Sequence, residues 1–306
     1  MPESNDRDIL PPALRATALG HRAGPPSNPA AEVRVESFGL SARGKVRTEY
    51  QDHFYLGRLG RFSQMIATSL PAGEIPNRLE EAGYVAAVAD GMGGHAGGEI
   101  ASRTVLIVFF HLLFDTPDWV LKVDDQSAQK IQERNVSRYR SLDSLLAERA
   151  RIDPSLFGMG TTLTLTYSIG LDLFLAHVGD SRAYLFREGT VRQLTRDHTR
   201  VQKLVEAGLL TREEAATHRL RNVLTNVLGG GAPLTDVDVH RIQLAEGDSV
   251  LLCTDGLHGV ATDEEIAAIL AEPTSAEAAC RSLVEIALGR GAPDNVTVAL
   301  SRYAPA

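Results

Sequence analysis

Val85-Ala86-Ala87-Val88-Ala89-Asp90-Gly91-Met92-Gly93-Gly94-His95 joins an uncharged apolar run to one carboxylate and then to a cluster of glycines. Small and β-branched residues in an unbroken run have the composition of a buried strand. Asp90 stands where that strand is expected to end, and Gly91, Gly93 and Gly94 supply a turn able to take positive φ or to approach a ligand closely. The strongly apolar residues 99–114 then read as a buried helix. A carboxylate at a strand end beside a glycine turn suits a hard cation, because the turn also exposes backbone oxygens. One such Asp serves equally well as a helix cap or an Asx-turn.

Working outward, the arrangement recurs. The apolar residues 249–253 run into Thr254-Asp255-Gly256, and residues 171–178 end in Gly179-Asp180-Ser181. Asp294-Asn295 precedes the apolar 296–300, and Gln51-Asp52 precedes His53-Phe54-Tyr55-Leu56. Gathered at one end of a fold, Asp52, Asp90, Asp180, Asp255 and Asp294 would repel one another unless cations neutralised them. An all-oxygen donor set, with no His/Cys cluster at zinc spacing, favours Mg²⁺ or Mn²⁺. Two such ions about 3.5–4 Å apart form a clamp for in-line attack on phosphorus.

The remaining chain fills in the architecture. Residues 33–37, 161–167 and 171–178 have strand patterns, and 183–186 and 191–194 flank a turn at Arg187-Glu188-Gly189-Thr190. Residues 57–83 read as a long hairpin or a loop. Helices are expected over 127–151, 263–271 and 275–288, and two short ones over 201–207 and 211–216 make 199–235 a helical flap. Helices grouped rather than alternating with strands argue for an antiparallel-rich layered α+β sandwich and against a doubly wound sheet. Residues 1–32 hold six of the fourteen prolines and lack periodicity, so a disordered tail is expected before a domain over 33–303.

With 306 residues, 43% hydrophobic and 23% charged, the chain can bury a core unaided. A net charge of −8 disfavours nucleic acid as a partner. Cys253 and Cys280 suit buried free thiols in a reducing compartment. The longest apolar run, 105–114, is well short of the ~20 residues of a membrane span. The N-terminus lacks the apolar core of a secretory signal. The expectation is a cytoplasmic protein with no membrane partner.

Seven ordered motifs carry a resemblance: Arg47-x-x-x-Gln51-Asp52; Val88 to Gly94 around Asp90-Gly91; Gly158-Met159-Gly160-Thr161-Thr162; His177-Val178-Gly179-Asp180-Ser181-Arg182-Ala183-Tyr184; Leu194-Thr195-Arg196-Asp197-His198; Cys253-Thr254-Asp255-Gly256-Leu257; and Asp294-Asn295-Val296-Thr297. From about Val33 to Arg302 the chain resembles the metal-dependent protein serine/threonine phosphatases of the type 2C family, in their bacterial form. The resemblance implies a four-layer α-β-β-α sandwich, two antiparallel sheets flanked by helix pairs. It implies a centre of two Mn²⁺ or Mg²⁺ ions, with Asp90 bridging, Gly91 contributing its carbonyl, and Asp255 and Asp294 as further ligands. Asp52 would hold metal-bound water, Asp180 would help bind a third, weaker cation, and Arg47 would hold the substrate phosphate. The implied activity is hydrolysis of phosphoserine and phosphothreonine by in-line attack of a bridging water, with phosphoproteins, a serine/threonine kinase or its targets as signalling partners.

Two departures from the family pattern stand out. Tyr50 replaces the usual Asn before Gln51-Asp52, and the interval from Asp52 to Asp90 is long, as for an insertion over 58–80. Met92 occupies the position where some members carry a His, which leaves His95 as the candidate general acid and a metal-bound water as the alternative. His177, His198 and Cys253 read as structural. Gly229-Gly230-Gly231 lacks the Lys-Ser/Thr of a phosphate loop. Two other readings stand beside the leading one: a non-catalytic member that binds a partner or phosphoprotein, and a phosphatase for small phosphate esters.

Overall fold

The structure, a computed structural model, describes residues 33–69, 76–93, 96–115 and 123–305. The tail expected over 1–32 lies outside these, as does His95. Strands β1 (Val33–Ala42), β7 (Arg182–Arg187), β8 (Thr190–Gln193), β11 (Ser249–Cys253) and β12 (Val296–Pro305) form a five-stranded antiparallel sheet in the order β1-β12-β11-β7-β8. The second sheet has seven strands. Its order is β10 (Asp238–Gln243), β6 (Asp172–Val178), β5 (Leu163–Ile169), β3 (Arg78–Met92), β4 (Gly160–Thr161) and β9 (Leu228–Gly229), with β2 (Asp52–Gln64) paired to β3.

Alternation along β3 explains the layering. Ala86 and Val88 point between the sheets, where they meet Leu173 and Leu175 of β6, Leu185 of β7, Leu252 of β11 and Ala299 of β12. Val85, Ala87 and Ala89 point the other way, onto Ala101, Val105 and Phe109 of α1 (Ala96–Phe114) and Leu142 and Leu146 of α2 (Asp125–Ile152). The period of two thus serves two cores at once, which is why the run carries no polar residue. Behind the five-stranded sheet lie α6 (Asp263–Ala271) and α7 (Ala276–Gly289), whose Ile266, Leu270, Leu283 and Ala287 pack with Leu251, Cys253 and Val298. This is the expected four-layer sandwich. Tyr139 pins α2 to its sheet, its buried hydroxyl donating to the Ala176 carbonyl at 2.8 Å. Two short helices, α3 (Arg200–Glu206) and α4 (Arg212–Thr217), lie within 199–235, and α4 opens on a Thr211/Glu214 capping box.

Two expectations need correction, and one open choice is decided. First, β3 does not stop at Asp90. It gains a second partner, with Gly91 opposite Thr161 and Met92 opposite Gly160, so the glycines extend the strand before they turn it. Secondly, of the two readings of 57–83, a long hairpin or a loop, the hairpin holds over most of the segment. β2 and β3 pair without interruption from Asp52↔Asp90 to Gln64↔Arg78, and cross-strand pairs such as Arg61–Glu81 at 2.7 Å sit on the distal ribbon. Period-2 hydrophobicity could not reveal this part, because both its faces meet water. Thirdly, α1 is long and apolar enough, by length and composition, to cross a membrane over the 18 residues Gly97–Phe114. The unbroken apolar run 105–114 is shorter than this window because Glu99 and Arg103 interrupt it. In this fold Ala101, Val105 and Phe109 of that helix belong to the core.

Candidate active site

The site begins with the backbone of Asp90. Its N–H donates to Thr162 Oγ1 at 2.9 Å, and its carbonyl accepts from the Thr162 N–H at 2.9 Å and from Thr161 Oγ1 at 2.8 Å. With main-chain valences filled, the half-buried side chain is left to face its neighbours. Directly opposite across the ladder is Asp52, which is only 4% exposed. Gly91 is held by donating its N–H to the Gln51 carbonyl at 3.0 Å. A Cβ here would lie 2.1 Å from the Gly98 carbonyl oxygen at the start of α1, so only glycine fits.

The other carboxylates arrive from the second sheet and its loops. Asp255 opens a one-turn helix, α5 (Asp255–His258), just after β11. Asp90-Gly91 and Asp255-Gly256 therefore resemble each other in sequence but not in conformation. Gly256 is as confined as Gly91, since a Cβ would lie 1.8 Å from the Asn295 carbonyl oxygen. Thr254, fully buried, ties the halves together. Its hydroxyl donates to Asp52 Oδ2 at 2.7 Å and accepts from the Thr297 N–H at 3.0 Å. Asp180, buried at the β6–β7 turn, has its carbonyl joined to His258 Nε2 at 3.0 Å.

Arg47 reaches the site from the loop between β1 and β2, pairing with Asp294 Oδ2 at 2.6 Å while half exposed. Sequence motifs flagged Arg47 and Asp294 but not what positions the loop between them. Asn295 does this: its amide oxygen accepts the Gln51 N–H at 2.6 Å, and its NH₂ donates to the carbonyls of Arg43 at 2.8 Å and Glu49 at 3.0 Å. Ser102 of α1 adds a further tie, donating to the Gln51 carbonyl at 2.6 Å. Neither residue carries a charge that would mark it in the sequence.

Electrostatics express the crowding. Removal from water pushes the Asp90 carboxyl well above its usual range, and the charges of Asp52, Asp255, Asp180 and Asp294 push it further. Burial raises Asp52 to about 7, against the hydrogen bond from Thr254, and raises Asp255 to about 6, where Asp294 adds and Arg47 opposes. Asp180 is raised by burial and by Asp255. The acids converge without closing. Among the described residues no three His, Cys, Asp or Glu side chains already stand in ligand geometry, and Asp294 is turned to Arg47. Asp255 Oδ1 is buried with no hydrogen-bond partner. An unpaired buried carboxylate oxygen among mutually repelling acids, all oxygen donors, fits a hard divalent cation.

The residues set aside as structural are so. His177 is buried against Thr164 Oγ1 at 2.8 Å, and burial lowers it to about 4. His198 Nε2 meets Asp238 at 3.3 Å. Burial pushes the Cys253 thiol up to about 12, which disarms it as a nucleophile. Arg221, which no motif singled out, favours the charged form of Asp255 through space. It lines the same cavity as Arg47, Asp180 and Asp294.

Comparison with known proteins gives a consistent picture. The family model for protein phosphatase 2C matches residues 77–287. The serine/threonine protein phosphatase PstP of Mycobacterium tuberculosis is 42% identical over 217 residues, which cover 70% of this chain but only 39% of that protein. The chain thus spans well under half of that relative. Protein phosphatase PhpP of Streptococcus pneumoniae is 34% identical over 265 residues, covering 85% of this chain and 94% of its own length. The crystal structure of M. tuberculosis PstP superposes with a TM-score of 0.71 at 34% identity, covering 88% of this chain and 98% of that one. A PstP catalytic domain in complex with two manganese ions superposes with a TM-score of 0.69 at 33% identity, covering 89% and 99%.

Proposed function

The chain belongs to the protein phosphatase 2C family, and from that premise we propose that it removes phosphate from phosphoserine and phosphothreonine in proteins, using two divalent cations, Mn²⁺ or Mg²⁺. The observation that carries the reading is the meeting of Asp52, Asp90, Asp255 and Asp294 beside Arg47, with one carboxylate oxygen of Asp255 buried and unpartnered. Asp90 would bridge the ions, aided by the Gly91 carbonyl, and Asp255 and Asp294 would complete their binding. Asp180 would help hold a third, weaker ion. When bound, such ions polarise phosphoryl oxygens and lower the pKa of water near them.

The chain's own residues supply the rest. Arg47 offers a planar fork of donors to two phosphoryl oxygens and stabilises charge gathering there. Its pairing with Asp294 points the fork at the carboxylate cluster before substrate arrives. Asp52, buried and hydrogen-bonded by Thr254, orients water beside Asp90. His95 is the candidate proton donor to the leaving serine or threonine oxygen, with a metal-bound water as the alternative. Phosphoproteins made by a serine/threonine kinase would be the substrates. The two buried free thiols, Cys253 and Cys280, support a reducing cytoplasmic setting.

The test is turnover of p-nitrophenyl phosphate and of a phosphothreonine peptide, with Mn²⁺ and with EDTA. Metal-dependent release of phosphate from both is expected, with phosphotyrosine and sugar phosphates poorer. Absence of any metal-dependent turnover would overturn the enzymatic reading in favour of a phosphoprotein-binding role.

A further inference from the structure

Three members of the carboxylate cluster, Asp180, Asp255 and Asp294, line part of a cavity of about 1220 Å³. That exceeds the ~300–1,000 Å³ usual for a small-molecule site, so a phosphorylated side chain leaves most of it unfilled. The remainder is an arm between two walls. One wall is β8 and the loop after it, carrying Arg192 and Arg196; the other is the helical excursion, carrying Arg212. Val201 and Ala215 supply apolar surface between them.

The charge of the arm opposes that of the chain. At the cluster end, Arg182 is held by Asp197 through three hydrogen bonds of 2.9, 3.2 and 2.7 Å, and Arg47 is held by Asp294. Beyond them the cavity is lined by Arg192, Arg196, Arg212 and Arg221; its acids are Asp180, Asp255 and Asp294 of the cluster, Asp197 paired with Arg182, and Asp263. Arg196 meets Glu206 and Asp238 only at 3.7 Å each. Arg192 and Arg212 are exposed and form no ion pair with a described residue. A protein with a net charge of −8 thus keeps a cationic surface beside its site.

We propose that this arm receives the residues flanking the phosphorylated side chain and selects anionic ones, with Arg192 and Arg212 as the specificity-determining contacts. The proposal rests on the phosphatase reading above. Two sources of negative charge share this chemistry, aspartate and glutamate side chains or a second phosphate group. Arg192 and Arg212 are exposed and stand outside the carboxylate cluster, so their effect belongs to recognition of the peptide and not to the reacting phosphate.

The experiment compares phosphothreonine peptides of one length with alanine flanks, Asp/Glu flanks or a neighbouring phosphoserine. Wild type and the Arg192→Ala/Arg212→Ala double variant are assayed with Mn²⁺. Anionic flanks should raise kcat/KM by about tenfold at low salt, as expected for two or three partly exposed charge pairs, and the gain should shrink as salt screens them. The double variant should lose that gain while turning over p-nitrophenyl phosphate, which has no flanks, at the wild-type rate. A diphosphopeptide that outruns the Asp/Glu peptide assigns the preference to a second phosphate; the reverse order assigns it to carboxylates. Equal rates for anionic and alanine flanks, or a preference that survives the double substitution, would overturn the proposal. Fluorescence anisotropy of the same peptides reads the preference without turnover, so failure of the phosphatase reading is distinguished from failure of the arm.

Discussion

Replacing Thr254 by valine removes one hydroxyl and two hydrogen bonds while keeping the side chain's shape. In the wild type that hydroxyl donates to Asp52 Oδ2 at 2.7 Å and accepts from the Thr297 N–H at 3.0 Å, all within the buried interior. A hydrogen bond to a charged group contributes about 1.5–3 kcal/mol, and a buried N–H left unpaired costs about 1–3 kcal/mol. The two losses share one atom and do not add fully, so a total of about 3–4 kcal/mol is expected. For a domain of this size that lowers Tm by about 10 °C. The hydroxyl is also the chief influence holding down the Asp52 pKa against burial, so the variant's Asp52 should titrate above its present value of about 7 and metal-dependent turnover at neutral pH should fall. Thermal and urea unfolding in EDTA, beside a Thr254→Ser control that restores the hydroxyl, give the measurement. A valine variant within ~1 kcal/mol of wild type, or a serine variant as damaged as the valine one, would refute the reasoning.

Three further outcomes are expected. Asp255→Asn should abolish turnover and the rise in Tm with Mn²⁺. In EDTA at pH 7.5 it should stabilise the protein by about 1–2 kcal/mol, because Asp255 is raised to about 6 in the fold and so destabilises it at higher pH, a penalty relieved as pH falls through 6; urea titrations at pH 7.5 and 5 check both signs. His177, lowered to about 4 by burial, stays neutral in the fold while the unfolded chain takes a proton near pH 6.5, so its stability contribution is lost as pH falls from about 6.5 to 4. Wild type should lose about 2 kcal/mol more than His177→Gln between pH 7.5 and 5, and equal slopes would count against it. Gly256→Ala would force a Cβ to 1.8 Å from the Asn295 carbonyl oxygen. It should cost at least about 3 kcal/mol or prevent soluble expression, as read from yield and Tm.

How much of this was legible before the structure depends on what each residue does. The apolar run before Asp90 revealed its strand because both faces are buried, and Asp52, Asp180, Asp255 and Asp294 were visible because an acid at the end of an apolar run is unusual enough to notice. The distal half of β2–β3 was not legible, since Arg58, Arg61, Glu80 and Glu81 pair across a ribbon with water on both sides and leave no apolar period. Asn295, Ser102 and Thr254 were missed as organisers for a different reason. Their partners are backbone groups or acids 40 to 250 positions away, and only folding brings them together. Arg221 and Arg212 lie in a polar excursion whose pattern says helix or loop but not which surface it faces.

The strand that closes the centre is paired on both sides. β12 lies between β1 and β11, pairing Val33 with Pro305 across nearly the full described length, and Asp294 and Asn295 sit immediately before it. A chain in which the β1–β12–β11 seam is unformed therefore leaves the Arg47 loop with nothing to hold it, even with Asp52, Asp90 and Asp255 in place. Activity should switch on only once residues 296–305 have paired on both sides, a long-range pairing that is slow to form. Loss of residues 296–305 would remove an interior strand of the sheet, so a chain lacking them should be inactive rather than weakly and indiscriminately active.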